Sequence, residues 1–194
     1  MAESASMKDS QRTLCVFCGS APGCDDVFTS AARELGAELG HQHIRLVYGG
    51  ARMGVMGALA DAALAHGAHV VGIMPTALMG RREMTHTGLS EFIEVGCMAE
   101  RKAEMMARSD AFCALPGGMG TLDELFEVLC RAAIGEHQKP SGLLEVGGYF
   151  APLLAFFDNA TAQGFMRTSL REELIVSSNV QSLVHRLLPK GDAP

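Results

Sequence analysis

The chain predicts an α/β fold, a doubly wound, Rossmann-like parallel sheet with helices on both faces, in a single domain. Three observations carry that expectation. Short apolar runs alternate with helical patterns from one end to the other. The runs are near-continuously apolar rather than alternately polar, as in strands buried on both faces. Glycine-rich turns follow several of them, where ligands bind in such sheets.

Taken in order, Leu14 to Cys18 reads as a strand and about Asp26 to Gly40 as a helix. Ile44 to Tyr48 is the second strand, and Gly54 to His66 the second helix. Val70 to Ile73 and Phe92 to Val95 are further strands, followed by a helix from Met98 to Ser109. Ala111 to Leu115 is then a buried strand ended by Pro116, and Thr121 opens a helix from Leu122 to Ile134. Ser141 to Leu144, a helix from Tyr149 to Gln163, a short strand near Leu174 to Val176 and a helix from Val180 to Leu188 complete the pattern. The domain is expected over 13–188, with tails at 1–12 and 189–194.

At 194 residues, 48% apolar and 20% charged, the chain can bury one sizeable core. A net charge of -6 without a lysine-arginine block lacks the footprint of a nucleic-acid binder. No apolar stretch reaches the roughly 18 residues of a membrane span, and the first twelve residues lack the apolar core of a secretory signal, so a cytoplasmic protein is expected. Of the six cysteines, Cys15, Cys18, Cys113 and Cys130 fall in apolar periodic segments, where a free thiol behaves as a small hydrophobe. Cys15 and Cys18 have CxxC spacing, but residues three apart on a strand face opposite sides of the sheet. No HExxH or paired CxxC occurs, so neither a structural metal nor another cofactor is expected.

The segment Leu115-Pro116-Gly117-Gly118-Met119-Gly120-Thr121-Leu122-Asp123-Glu124 carries the clearest chemistry. Its three glycines let the backbone turn N–H groups toward one point, and the following helix N-terminus adds partial positive charge there. A phosphate fits such a cradle. Thr121 to Glu124 is also the pattern of a capping box, in which the Thr hydroxyl and the Glu carboxylate satisfy backbone N–H groups reciprocally. A long Glu beside a phosphate cradle is electrostatically awkward, however, and points to chemistry. Gly19-Ser20 and the run Gly49 to Gly57 give two more turns that can converge on the same crevice, although close helix packing explains Gly54 and Gly57 equally well. None fits GxxxxGK[ST] or a clean GxGxxG, so a mononucleotide is favoured over a P-loop or dinucleotide site.

With these turns in view, the chain resembles the Lonely Guy family of cytokinin riboside 5'-monophosphate phosphoribohydrolases over nearly its whole length. The resemblance rests on Val16 to Gly23, Leu46 to Gly50 with Met56-Gly57, Met98 to Met105 and Ala111 to Glu124. Lys139-Pro140, Gly148-Tyr149 and Gly164-Phe165 extend it. It implies that Arg101 and Glu124 are catalytic in hydrolysis of an N-glycosidic bond, which proceeds through an oxocarbenium-like ribose and calls for a carboxylate and a donor. Arg101 has an alternative partner in Glu104 on a solvated helix face. The implied substrate-binding set is Ser20, Glu83, Arg101, Lys102, Gly117, Gly118, Met119, Gly120, Thr121, Leu122, Asp123, Glu124 and Cys130. Cys130-Arg131 stands where plant members usually have Thr-Trp, and Ala51 and Met119 also depart from the family pattern. The resemblance further implies a small nucleotide substrate, AMP or an N6-isopentenyl-AMP type, and a homodimer.

Two other functions compete with this one. A protein of the same fold could hold a nucleotide or other phospho-ligand without cleaving it; Glu124→Gln separates the two readings. The label lysine decarboxylase, attached to such sequences, requires a lysine for a Schiff base. Lys8 and Lys190 lie in the tails, Lys139 precedes a proline, and only Lys102 remains, with no acid partner for a pyridinium nitrogen apparent.

Overall fold

A computed structural model describes residues 11–79 and 85–190, and the statements below concern those residues. Seven parallel strands form one sheet in the order β4-β3-β2-β1-β5-β6-β7. They are β1 (Thr13–Phe17), β2 (Arg45–Tyr48), β3 (Val70–Pro75), β4 (Glu91–Val95), β5 (Ala111–Ala114), β6 (Ser141–Leu144) and β7 (Ile175–Ser177). The intervening helices are α1 (Asp26–His41), α2 (Gly54–Ala65), α3 (Thr76–Met79), α4 (Met98–Ala107), α5 (Met119–Ala133), α6 (Ala151–Ala162), α7 (Thr168–Glu173) and α8 (Val180–Leu187). The winding direction reverses between β1 and β5, which pair in parallel with Leu14 opposite Ala111 and Phe17 opposite Ala114.

Strand periodicity sorts the core into two layers. Leu14, Val16 and Cys18 pack with Ala32, Leu35, Leu59 and Val184, contributed by α1, α2 and α8. Cys15 and Phe17 face the other way, onto Met105, Leu125 and Phe157 of α4, α5 and α6. The two cysteines therefore lie on opposite faces, and burial raises both thiol pKa values well above the ordinary range. Cys130, by contrast, is exposed on α5, so the expectation of a small core hydrophobe fails there. Its neighbours Ala132 and Ala133 continue the apolar composition, but its own direction on the helix is outward.

One boundary and two short helices differ from the sequence expectation for a physical reason. α5 begins at Met119, not after Thr121: Gly118 is the N-cap, no side chain caps the helix, and the capping box is not formed. Thr121 is instead buried against Gly117, where a Cβ would lie 2.1 Å from its hydroxyl oxygen. α7 was not anticipated because Thr168 to Glu173 buries no residue and so leaves no apolar period to read. α3 is likewise a four-residue helix with no buried residue. The expected tails at 1–12 and 189–194 lie largely outside the described residues; Arg12, just inside, donates to the Leu188 carbonyl at 2.6 Å and ties the two ends of the domain together.

The helices α1 and α2 approach closely enough to require glycine. A Cβ on Gly36 would fall 2.4 Å from the Leu59 carbonyl oxygen and 2.8 Å from the Ala63 nitrogen, both backbone atoms that cannot rotate away. Gly36→Ala is therefore expected to separate the two helices and lower stability by about 1–3 kcal/mol, measured by urea denaturation, despite alanine's better helix propensity.

Candidate active site

The site is assembled at the carboxyl edge of the sheet, where β1 and β5 part. The Gly19 N–H donates to the Pro116 carbonyl at 3.1 Å, and the Met56 N–H to the Gly19 carbonyl at 3.0 Å, so the turns after β1, β2 and β5 are stitched into one rim. Gly54, with φ +62, lies against the Ser20 carbonyl, where a Cβ would come within 2.4 Å. Gly57 is equally constrained, since its Cβ would meet the Arg52 carbonyl oxygen at 2.0 Å. These two glycines serve close packing of the rim. Ser20 sits exposed in the first turn, beside this contact.

The three glycines after Pro116 divide by role. Gly117 admits no side chain, because a Cβ would be 2.6 Å from the Gly19 nitrogen as well as against Thr121. Its carbonyl accepts a 2.5 Å hydrogen bond from the Tyr149 hydroxyl, whose ring packs edge-on against Phe28 and Phe150. At Gly118 and Gly120, a Cβ would meet nothing within 4 Å. The first N–H groups of a helix have no intrahelical acceptor, and α5 supplies no capping side chain, so the amides around Met119, Gly120 and Thr121 present a partial positive charge at this edge. Met119 itself is 89% exposed.

One turn further along α5, Glu124 points inward and meets Arg101 of α4. The Arg101 Nη2 to Glu124 Oε1 distance is 3.4 Å, and the two side chains are only 8% and 4% exposed. Gly49, at the end of β2, makes room for the guanidinium: a Cβ there would lie 2.0 Å from Nη2. Met98 provides a sulfur 3.7 Å from Nη1. Glu104, the alternative partner for Arg101, instead binds Arg108 at 2.6 Å. The pair remains incompletely satisfied, since neither the Arg101 Nε nor the Glu124 Oε1 has a hydrogen-bond partner. Burial pushes the Glu124 pKa up to about 7, and the Arg101 charge opposes that rise without cancelling it.

Lys102 and Asp123, both expected to contact substrate, are engaged with each other. The Lys102 ammonium lies 3.0 Å from Asp123 and 2.5 Å from Glu127, and Glu127 also binds Arg131 at 2.7 Å. This clasp ties α4 to α5 beside the buried pair and raises the Lys102 pKa through its hydrogen bonds to Glu127 and Asp123. A lysine held protonated in this way does not fit Schiff-base chemistry. Leu122 packs against the core layer of α5. Cys130 lies six residues beyond Glu124, about 9 Å along the helix axis, and is not brought to the pair within this chain. Glu83 lies outside the described residues. Gly49 and Tyr149 are visible in the sequence only as members of segments that carry the resemblance, without a role, and Glu127 resembles an ordinary surface residue.

Comparisons with known proteins bear on the family and the fold. A family model described as "possible lysine decarboxylase" matches residues 56–187. A protein of Oryza sativa subsp. japonica named probable cytokinin riboside 5'-monophosphate phosphoribohydrolase is 51% identical over 91% of this chain and 77% of its own length. A cytokinin riboside 5'-monophosphate phosphoribohydrolase of Arabidopsis thaliana is 46% identical over 93% and 83%. Among solved structures, a molybdenum cofactor binding protein from Rippkaea orientalis shares the fold with a TM-score of 0.69 at 20% identity, covering 90% of this chain and 94% of its own. The Moco carrier protein of Chlamydomonas reinhardtii also gives 0.69, at 21% identity, over 92% and 98%.

Because the native pKa of Glu124 is raised above its unfolded value of about 4.3, this carboxyl favours the folded state fully below that value; the contribution is lost as pH rises through 7. A carbon-13 titration of the Glu124 carboxyl is expected to give a midpoint near 7. The midpoint should move upward in Arg101→Met, which removes the opposing positive charge; a midpoint in the ordinary carboxylate range would contradict the buried geometry.

Proposed function

The chain belongs to the family of cytokinin riboside 5'-monophosphate phosphoribohydrolases, whose family model carries the description possible lysine decarboxylase, and on that footing we propose how its site works as a hydrolase. The reaction releases the free base from a nucleoside 5'-monophosphate and leaves ribose 5-phosphate. The observation that carries the site assignment is the buried carboxylate of Glu124, held 3.4 Å from the Arg101 guanidinium and one helical turn from the uncapped amides at the start of α5.

The 5'-phosphate would rest on the amides around Met119, Gly120 and Thr121, beside the open faces of Gly118 and Gly120, with Ser20 at the rim. Pro116 and Gly117 fix the height of that loop, and Tyr149 holds the Gly117 carbonyl. Glu124 then faces the ribose. As the N-glycosidic bond breaks, its electron pair leaves with the base and positive charge develops on the anomeric carbon; the ionised carboxylate stabilises that charge and orients water for attack. The water oxygen bonds to the anomeric carbon, and its proton compensates the departing base. Arg101 favours the ionised form of Glu124 against its burial and can donate to ribose or base. Lys102 and Asp123 act through the clasp that holds α4 on α5, unless substrate draws them inward.

A second copy of the chain would complete the site. Met119 at the start of α5, Ile134 at its end, Phe156 on α6 and Phe165 after α6 are large apolar side chains left exposed, Phe165 by 91%. Large apolar side chains left in solvent favour a homodimer, in which Cys130 and the exposed end of α5 would contact the partner. Nothing in the composition requires a compartment other than the cytoplasm.

Glu124→Gln is expected to lower kcat about 10²- to 10⁴-fold while leaving KM for the nucleotide within a small factor, read by chromatography of released base. If the variant and the wild type both bind AMP and neither releases base, the protein is a carrier rather than a hydrolase. Gly120→Ala, which meets no protein atom within 4 Å, is expected to preserve or raise thermal stability yet increase KM for the monophosphate. An unchanged KM would remove the phosphate from this loop. Light scattering of the purified chain is expected to give the mass of a dimer, and Phe165→Glu to shift it toward the monomer.

A further inference from the structure

A second cavity lies on the opposite edge of the sheet. All strands run parallel, so the starts of β6 and β7 face away from the rim that holds Arg101 and Glu124. There, Ser141 and Ile175 open onto a cavity of about 610 Å³ between the end of α5, the loop 135–140, α7 and α8. Its volume is within the range of small-molecule sites, about 300–1,000 Å³.

The lining has two parts. Leu129, Met166, Leu170 and Leu174 form an apolar wall. Lys139, Arg167 and Arg186 supply three cations, against Glu173 as the one carboxylate on the lining. Each cation is anchored on a backbone carbonyl rather than on an acid: Lys139 Nζ on Met106 at 2.8 Å, Arg186 Nη1 on Val176 at 3.3 Å, and Arg167 Nη2 on Ala133. A carbonyl satisfies hydrogen-bonding capacity but leaves the charge uncompensated. Three cations less one carboxylate leave two positive charges around the cavity.

Ser141 supplies an independent indication. It is 7% exposed, lines the cavity, and its hydroxyl has no hydrogen-bond partner, which is uncommon for a buried polar group. The loop beside it is firmly held. His137 Nε2 lies 3.1 Å from the Val128 carbonyl, and its Nδ1 accepts from the Lys139 N–H at 3.2 Å, which fixes a neutral tautomer. Burial lowers the His137 pKa accordingly. Its ring packs on Phe112 at 5.4 Å, so the loop that positions Lys139 is anchored on the core.

We infer that this cavity binds a small organic phosphate: a dianionic head between Lys139, Arg167 and Arg186 with the Ser141 hydroxyl donating to it, and an apolar or aromatic body against Met166 and Leu170. The site is separate from the cradle at the start of α5 and does not depend on the hydrolase assignment.

Phenyl phosphate is a probe with both parts. Isothermal titration of the full-length chain is expected to find a binding step that disappears in Arg167→Gln/Arg186→Gln and weakens about 3- to 10-fold in Ser141→Ala, with circular dichroism unchanged in Ser141→Ala. Inorganic phosphate and phenol, each carrying half of the recognised chemistry, should bind at least tenfold more weakly. Base release from AMP should be unaffected by either set of substitutions. Identical titrations for wild type, the double variant and Ser141→Ala would overturn the inference, as would inorganic phosphate binding as tightly as phenyl phosphate.

Discussion

The contact between Arg101 and Glu124 is the constraint around which the rest of the site is organised. A carboxylate with 4% exposure is strongly disfavoured in its charged form, and a guanidinium 3.4 Å away opposes that effect only in part. The balance leaves Glu124 with a pKa of about 7, at the boundary between a proton carrier and a stabilising anion. Such a pair is poor value for stability alone, since an apolar pair of similar volume avoids the cost of desolvation. Its retention in the core is intelligible if the carboxylate serves a substrate as well as Arg101.

Several features of the fold exist to keep that pair in place. α4 and α5 belong to the same helical layer but are separated in the chain by β5, so their register depends on side chains. Lys102, between Asp123 and Glu127, supplies one such tie on the solvent side, and Met105 and Leu125 supply another in the core. Exposed ion pairs contribute little individually, and the clasp matters as a geometric restraint more than as a source of stability. Gly49 determines how closely the guanidinium approaches the sheet. The reversal of winding between β1 and β5 leaves the crevice itself, because helices on the two sides of the switch diverge from it.

The sequence made the architecture legible because strands buried in the middle of the sheet leave near-continuous apolar runs, and every expected strand from Leu14 onward has its counterpart within one or two residues at each end. Elements without a buried face, such as Thr168 to Glu173, left no such record. At the site, the glycines and the family motif located α5 and its carboxylate. Motif spacing could not distinguish a capping box from an inward Glu, because the same four residues serve either; the outcome turned on where α5 begins, and Gly118 began it one turn earlier than Thr121 would have. Lys102 illustrates a different limit. Its partner Glu127 is distant in sequence and resembles any solvated helix residue until the two helices are placed side by side.

Starting α5 at Met119 has a consequence for substrate choice. The amides that favour an anion and the carboxylate of Glu124 belong to one rigid helix, and from Gly120 to Glu124 is about 6 Å along its axis. That is of the order of the span from a pentose 5'-substituent to its anomeric carbon. Under the proposed function the helix would measure the substrate: a phosphate seated at its N-terminus would place the reacting carbon over Glu124, whereas a nucleoside lacking the phosphate would have no comparable anchor and would lose entropy to find the same pose. Gly117 and Tyr149 make this ruler stiff by fixing the strand-to-helix turn, while the open sides of Gly118 and Gly120 leave the anion room to approach the amides. On that proposal, selectivity for monophosphates would follow from the placement of one helix start.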